Sequence, residues 1–130
     1  MIQRIQSIWL LLVFLIAIGL AYLSESNNYL LFANALTAAL AVVAILRYND
    51  RPRQIKLCYG IMALEAVIIV LEHFDLVNQL AHVPQLDQWI RTFMQIVIIV
   101  PPVAGLVFAF LALRGIKKDE NLVRSMDRLR

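Results

Sequence analysis

Four apolar runs, three of them free of charge, constrain this chain more than any other feature: Ile5 to Ser24, Ser26 to Leu46, Leu57 to Leu71 and Thr92 to Leu113. The first, second and fourth are 20, 21 and 22 residues long. A helix rising ~1.5 Å per residue crosses ~30 Å of hydrocarbon in that length. The third is shorter and carries Glu65. It regains a full span if the helix continues through Glu72 and Phe74 while Lys56 snorkels on its aliphatic stem. With 62% hydrophobic and only 16% charged residues, the chain is far from the composition of a soluble domain. The expected fold is all-α, a single four-transmembrane-helix bundle over residues 1–130, with spans near 5–24, 28–46, 55–74 and 90–113 and a tail over 114–130.

The basic residues give the orientation. Arg4 precedes the first span; Arg47, Arg51, Arg53 and Lys56 lie between the second and third; Arg114, Lys117, Lys118, Arg124, Arg128 and Arg130 follow the fourth. Arg91 alone falls on the other side, so 11 of the 12 basic residues share one face of the membrane. Basic loops stay cytoplasmic, which predicts that both termini are cytoplasmic and the protein is multi-pass. The net charge of +3 then belongs beside anionic lipid headgroups, and a nucleic-acid partner is not needed to account for it.

A cleaved signal peptide is the rival reading of the first run, with Ala17 and Gly19 as the small pair before a cut. The charge-free stretch exceeds the usual signal core, which favours a retained helix. Cys58 is the single cysteine and makes no internal disulfide. Glu72, His73, Asp75 and His82 are metal-ligand types, but their spacing matches no established site; they read as solvated loop residues, with no metal and no cofactor expected. The loop from Glu72 to Arg91 is expected to extend the third helix before turning at Pro84, with Trp89 anchoring the next span. Trp9, Tyr22, Tyr29, Tyr48 and Tyr59 are placed near span boundaries. The tail reads as a short cytoplasmic amphipathic helix, because Leu122, Met126 and Leu129 recur at helical spacing opposite basic residues.

The opening Met1-Ile2-Gln3-Arg4-Ile5-Gln6-Ser7 runs directly into the first helix, and the chain closes on Lys117-Lys118-Asp119-Glu120, Leu122-Val123-Arg124-Ser125 and Asp127-Arg128-Leu129-Arg130. These two ends resemble those of the domain-of-unknown-function 4293 family, small four-helix integral membrane proteins of Bacteroidota. The resemblance extends over the whole chain in length and helix number. It implies a bacterial inner-membrane protein and supplies no catalytic residues.

Glu65 is the most informative buried group. A carboxyl inside a membrane helix is costly unless protonated or hydrogen-bonded, so it should face the bundle interior. Counting helix rise inward places Glu65 about 9 to 14 Å deep, Thr37 about 12 Å, Asn34 about 8 Å and Gln95 about 5 Å. Asn34 and Thr37 share a stripe with Ala38, Ala41 and Ala44, and Gln95 shares one with Pro102, Gly105, Ala109 and Ala112; small residues of this kind let helices approach closely. An intramembrane polar cluster of Glu65, Asn34, Thr37 and Gln95 is therefore expected. Pro101 and Pro102 remove two backbone donors in the middle of the fourth span, a candidate hinge. The functional expectation is a non-enzymatic accessory or assembly subunit of a larger membrane complex, partnered by lipid and by another membrane protein or a second copy of itself. The alternative is a small oligomeric proton-coupled transporter using Glu65. Small multidrug exporters are similar in size but carry their glutamate in the first helix.

Overall fold

The computed structural model describes residues 2–24, 27–83 and 85–127, which form four helices and the turns between them. These are α1 (Ile2–Leu23), α2 (Asn28–Leu46), α3 (Arg51–Ala81) and α4 (Gln88–Asp127). All four are long and apolar enough to cross a membrane. The connections are too short to let consecutive helices run parallel, so the chain goes up, down, up and down. α1 packs on α2 and α4, and α3 packs on α2 and α4, while the diagonal pairs do not approach; the α2–α3 contact is the least extensive of the four.

The third helix begins where its sequence directs. Asp50 accepts from the Arg53 N–H at 3.3 Å as an N-cap, and Pro52 occupies the first turn, where a missing N–H costs nothing. From there Gln54, Cys58, Ile61, Glu65, Ile68, Glu72, Leu76 and Leu80 recur at three- and four-residue intervals and are all buried. The same rhythm on α1 buries Gln6, Leu10, Val13, Ala17 and Leu20. The opposite faces carry Leu11, Leu15, Phe32, Val67, Val107 and Phe110 exposed. An apolar outside of this extent is suited to a lipid solvent, where helices satisfy their own backbone.

The interior differs between its two ends. Toward the α2–α3 turn, here the basic end, Leu10, Val13, Ala41, Ala44, Cys58, Ile61, Ala109, Ala112, Leu113 and Ile116 form one apolar cluster. Trp9 stacks on Phe108 at a centroid distance of 5.5 Å and packs, partly buried, against this cluster. Toward the α3–α4 turn, the acidic end, the buried positions include Asn34, Thr37, Glu65 and Glu72.

Two sequence boundaries move. α3 continues to Ala81, seven residues past the expected end near 74, because buried positions keep recurring, now every four residues, through Leu76 and Leu80. The tail is helical but continuous with α4, which at 40 residues measures ~60 Å, twice the hydrocarbon thickness. Arg51 pairs with Asp119 at 3.0 Å and Lys117 donates to the Tyr59 hydroxyl at 2.6 Å, so the extension stands against the start of α3. Leu122 and Met126 are exposed on it; Leu129 lies outside the described residues.

Candidate functional site

Two contacts fix how α3 meets its neighbours. Asn27, at the start of α2, donates to Asp75 Oδ2 at 2.5 Å. Ten residues inward on each helix from that pair stand Thr37 and Glu65; three residues inward stand Leu30 and Glu72. On the other side, Glu65 lies against Gly105: a methyl group built there would sit 2.6 Å from Glu65 Oε1. Arg51–Asp119 has the same register, which puts Glu72 level with Ile98. Glu65 and Glu72 are seven residues apart on one face of α3, or ~10.5 Å along the axis.

Glu65, Asn34 and Thr37 are all within 1% of complete burial. The Thr37 hydroxyl donates to the Ala33 carbonyl at 3.1 Å within its own helix. Glu65 Oε2 and both polar atoms of the Asn34 side chain have no hydrogen-bond partner among the described residues. The structure does not bring Gln95 to this set. From Gln88 to Val100 α4 has no buried residue, so its first turns run along the edge of the bundle. Gln95 is half-buried there in a shallow groove with Thr92, Ile96, Ile99 and Val100, all from α4.

Glu72 takes the place that sequence reasoning gave to Gln95. It is 5% exposed, and its Oε2 is buried without a hydrogen-bond partner among the described residues. The expectation that it is solvated fails because the face of α3 that carries Glu65 still points inward at this height. His73 and His82 are exposed instead, and among the described residues no three His, Cys, Asp or Glu side chains converge as metal ligands. Asp75 is held by three donors: Asn27 Nδ2, the Tyr29 hydroxyl at 3.0 Å and Gln79 Nε2 at 2.7 Å. It latches α2 to α3. Arg91, the lone basic residue of this end, donates to the Leu86 and Val83 carbonyls and clips the α3–α4 turn.

Glu72 and Asp75 line a cavity of about 340 Å³ to which all four helices contribute. Leu20 and Leu23 come from α1, Leu30 from α2, Leu76 and Gln79 from α3, and Val97, Ile98 and Pro101 from α4; Ser24 and Asn27 close the rim. The proline pair matters here for a reason other than a hinge. α4 is helical on both sides of Pro101 and Pro102, yet neither nitrogen can donate to the carbonyl four residues earlier. Those carbonyls belong to Val97 and Ile98, which line the cavity. The site therefore sets two carboxylates, Glu72 and Asp75, among largely apolar walls.

No curated protein and no solved structure matches the chain. A family model, the domain of unknown function DUF4293, matches residues 21–129, which include α2, α3, α4, both buried glutamates and both prolines. The four-helix membrane bundle described above is thus a member of the DUF4293 family.

Proposed function

We propose that this protein is a non-enzymatic membrane carrier that exchanges a proton for a cationic ligand at the Glu65–Glu72 pair, entered from the acidic-end cavity. One observation carries the reading: Glu72 is buried, lacks a hydrogen-bond partner among the described residues and lines a cavity shared by all four helices. A carboxyl in that setting stays neutral by holding a proton or becomes charged against a cation, and exchange between the two states is the elementary step of coupled transport. Glu65, deeper on the same face, provides the next position. With both termini cytoplasmic in the bacterial inner membrane, as the basic residues direct, the cavity opens to the outside.

The test is proton release. In weakly buffered detergent near neutral pH, adding tetraethylammonium should liberate protons from the wild-type protein, and Glu72→Gln should abolish the release while leaving thermal stability nearly unchanged. Equal release from both proteins, or none from a folded wild type, overturns the proposal.

A second reading, an accessory or assembly subunit, draws on α4. Gln95 places a polar side chain along a segment with no buried residue and has no hydrogen-bond partner among the described residues, whereas the neighbouring Thr92 hydroxyl donates to the Gln88 carbonyl at 3.1 Å. A helix from a partner or a second copy would satisfy Gln95 within the membrane. Copurification in mild detergent separates the cases: a stoichiometric larger partner lost on Gln95→Leu supports the subunit role, and a homo-oligomer supports the oligomeric carrier.

A further inference from the structure

At the opposite end of the bundle, a second cavity of about 340 Å³ opens on the α2–α3 seam, lined by Val43, Arg47, Arg53, Lys56 and Leu57. We propose that it is a binding site for one anionic phospholipid, with the phosphate held by Arg47, Arg53 and Lys56 and an acyl chain lying over Val43 and Leu57. This is independent of the carrier reading.

The sequence spacing builds the site. Val43, in the last turn of α2, and Arg47, its C-cap, are four residues apart, and Arg53 and Leu57 are four apart across the start of α3. Residues at that spacing stack on one helix face, so each helix sets a cation one turn beyond an apolar side chain. α2 spans 19 residues, or ~28 Å, close to the hydrocarbon thickness. Its last turn therefore puts Arg47 where headgroup phosphates lie and Val43 where acyl chains begin.

Charge and packing match the same occupant. Arg53 Nε is paired with Asp50 at 2.9 Å while its side chain remains 67% exposed. Arg47 and Lys56 have no carboxylate partner among the described residues. Three cations against one carboxylate leave the seam positive, which suits a phosphodiester. The guanidinium forks of Arg47 and Arg53 suit its two free oxygens. The seam also lies on the least extensive of the four helix contacts. Val43 is 41% exposed there, so a lipid chain covers surface that no helix covers.

The test uses phosphatidylglycerol and phosphatidylcholine in mixed detergent micelles, read by thermal unfolding and by native mass spectrometry of retained lipid. Wild-type protein should retain phosphatidylglycerol in preference to phosphatidylcholine. The double variant Arg47→Gln/Lys56→Gln should bind it roughly 10- to 30-fold more weakly. Arg114→Gln/Lys118→Gln removes the same charge from exposed positions at the same end of α4 and should change binding less than about twofold. Equal losses from the two double variants would reduce the effect to general attraction and overturn the site. Stabilisation by inorganic phosphate matching that by the lipid would overturn the lipid assignment, since the apolar wall would then contribute nothing. Should the first double variant fail to fold, the wild-type preference between the two lipids decides: no preference overturns the proposal.

Discussion

Replacing Gly105 by alanine probes how closely the buried carboxyl is fitted to α4. A Cβ at this position would lie 2.6 Å from Glu65 Oε1 and 2.9 Å from Cδ, where ordinary contact begins at 3.4 Å. The displaced atoms end a flexible side chain, so the carboxyl moves before the backbone does. It moves within a residue that is 1% exposed, and a forced off-rotamer position costs ~0.5–1.5 kcal/mol with further packing loss. Glycine to alanine in a helix interior itself gains up to ~1 kcal/mol, which can mask the clash in a single measurement. Gly60 supplies the reference, because a methyl there meets nothing within 4 Å. Gly105→Ala should be less stable than Gly60→Ala by about 1–2 kcal/mol. In a Glu65→Asp background, whose side chain is one methylene shorter, that difference should largely disappear. Denaturant titration in detergent micelles measures all four proteins. Equal stabilities for the two alanine variants in the wild-type background would refute the close fit of Glu65 against α4.

Three further outcomes follow from contacts away from the pair. Asp75→Ala removes the acceptor shared by Asn27, Tyr29 and Gln79 and should lower stability by about 1–3 kcal/mol in the same titration; no change would mean that the latch carries nothing. Asp119→Asn breaks a pair with Arg51 in which both side chains retain solvent contact, at 27% and 16% exposure. It should cost less than about 1 kcal/mol, and a loss of folding would show that the α4 extension is a structural necessity. Reporter fusions after Arg53 should read cytoplasmic and a fusion near Gln85 external; an external signal at Arg53 would reverse the orientation and turn the carboxylate cavity toward the cytoplasm.

The helix number and the inward face of α2 were legible because they rest on length and on a stripe of small and polar residues, Asn34, Thr37, Ala38, Ala41 and Ala44, all of which are buried. Glu65 was legible because a single carboxylate in an apolar run has nowhere favourable to point except inward. Glu72 was missed for the complementary reason. The third span is expected to run through Glu72, but a carboxylate so near its outer end reads as reaching solvent, although the seven-residue spacing from Glu65 keeps it on the same inward face. Gln95 showed the limit of helical spacing. It shares a stripe with Pro102 and Gly105, but spacing gives direction around a helix and not whether a neighbour is present at that height. The cavity had no sequence signal, since its walls are ordinary leucines, valines and isoleucines brought together by four helices. Gln6 and Gln54, buried at the basic end, were readable from the heptad rhythm of α1 and α3; Gln54 turns its amide to the Ala44 carbonyl at 3.1 Å.

Labelling with a hydrophobic carbodiimide tests the central claim most directly, since this reagent enters membranes and reacts with protonated carboxyls there. Mass spectrometry of the treated protein should find the adduct on Glu72 or Glu65, lost at the substituted position in Glu72→Gln or Glu65→Gln. Prior addition of tetraethylammonium should protect, because a bound cation takes the place of the proton. Absence of label from both glutamates in folded protein, or labelling unchanged by the cation, would contradict a proton-exchanging pair.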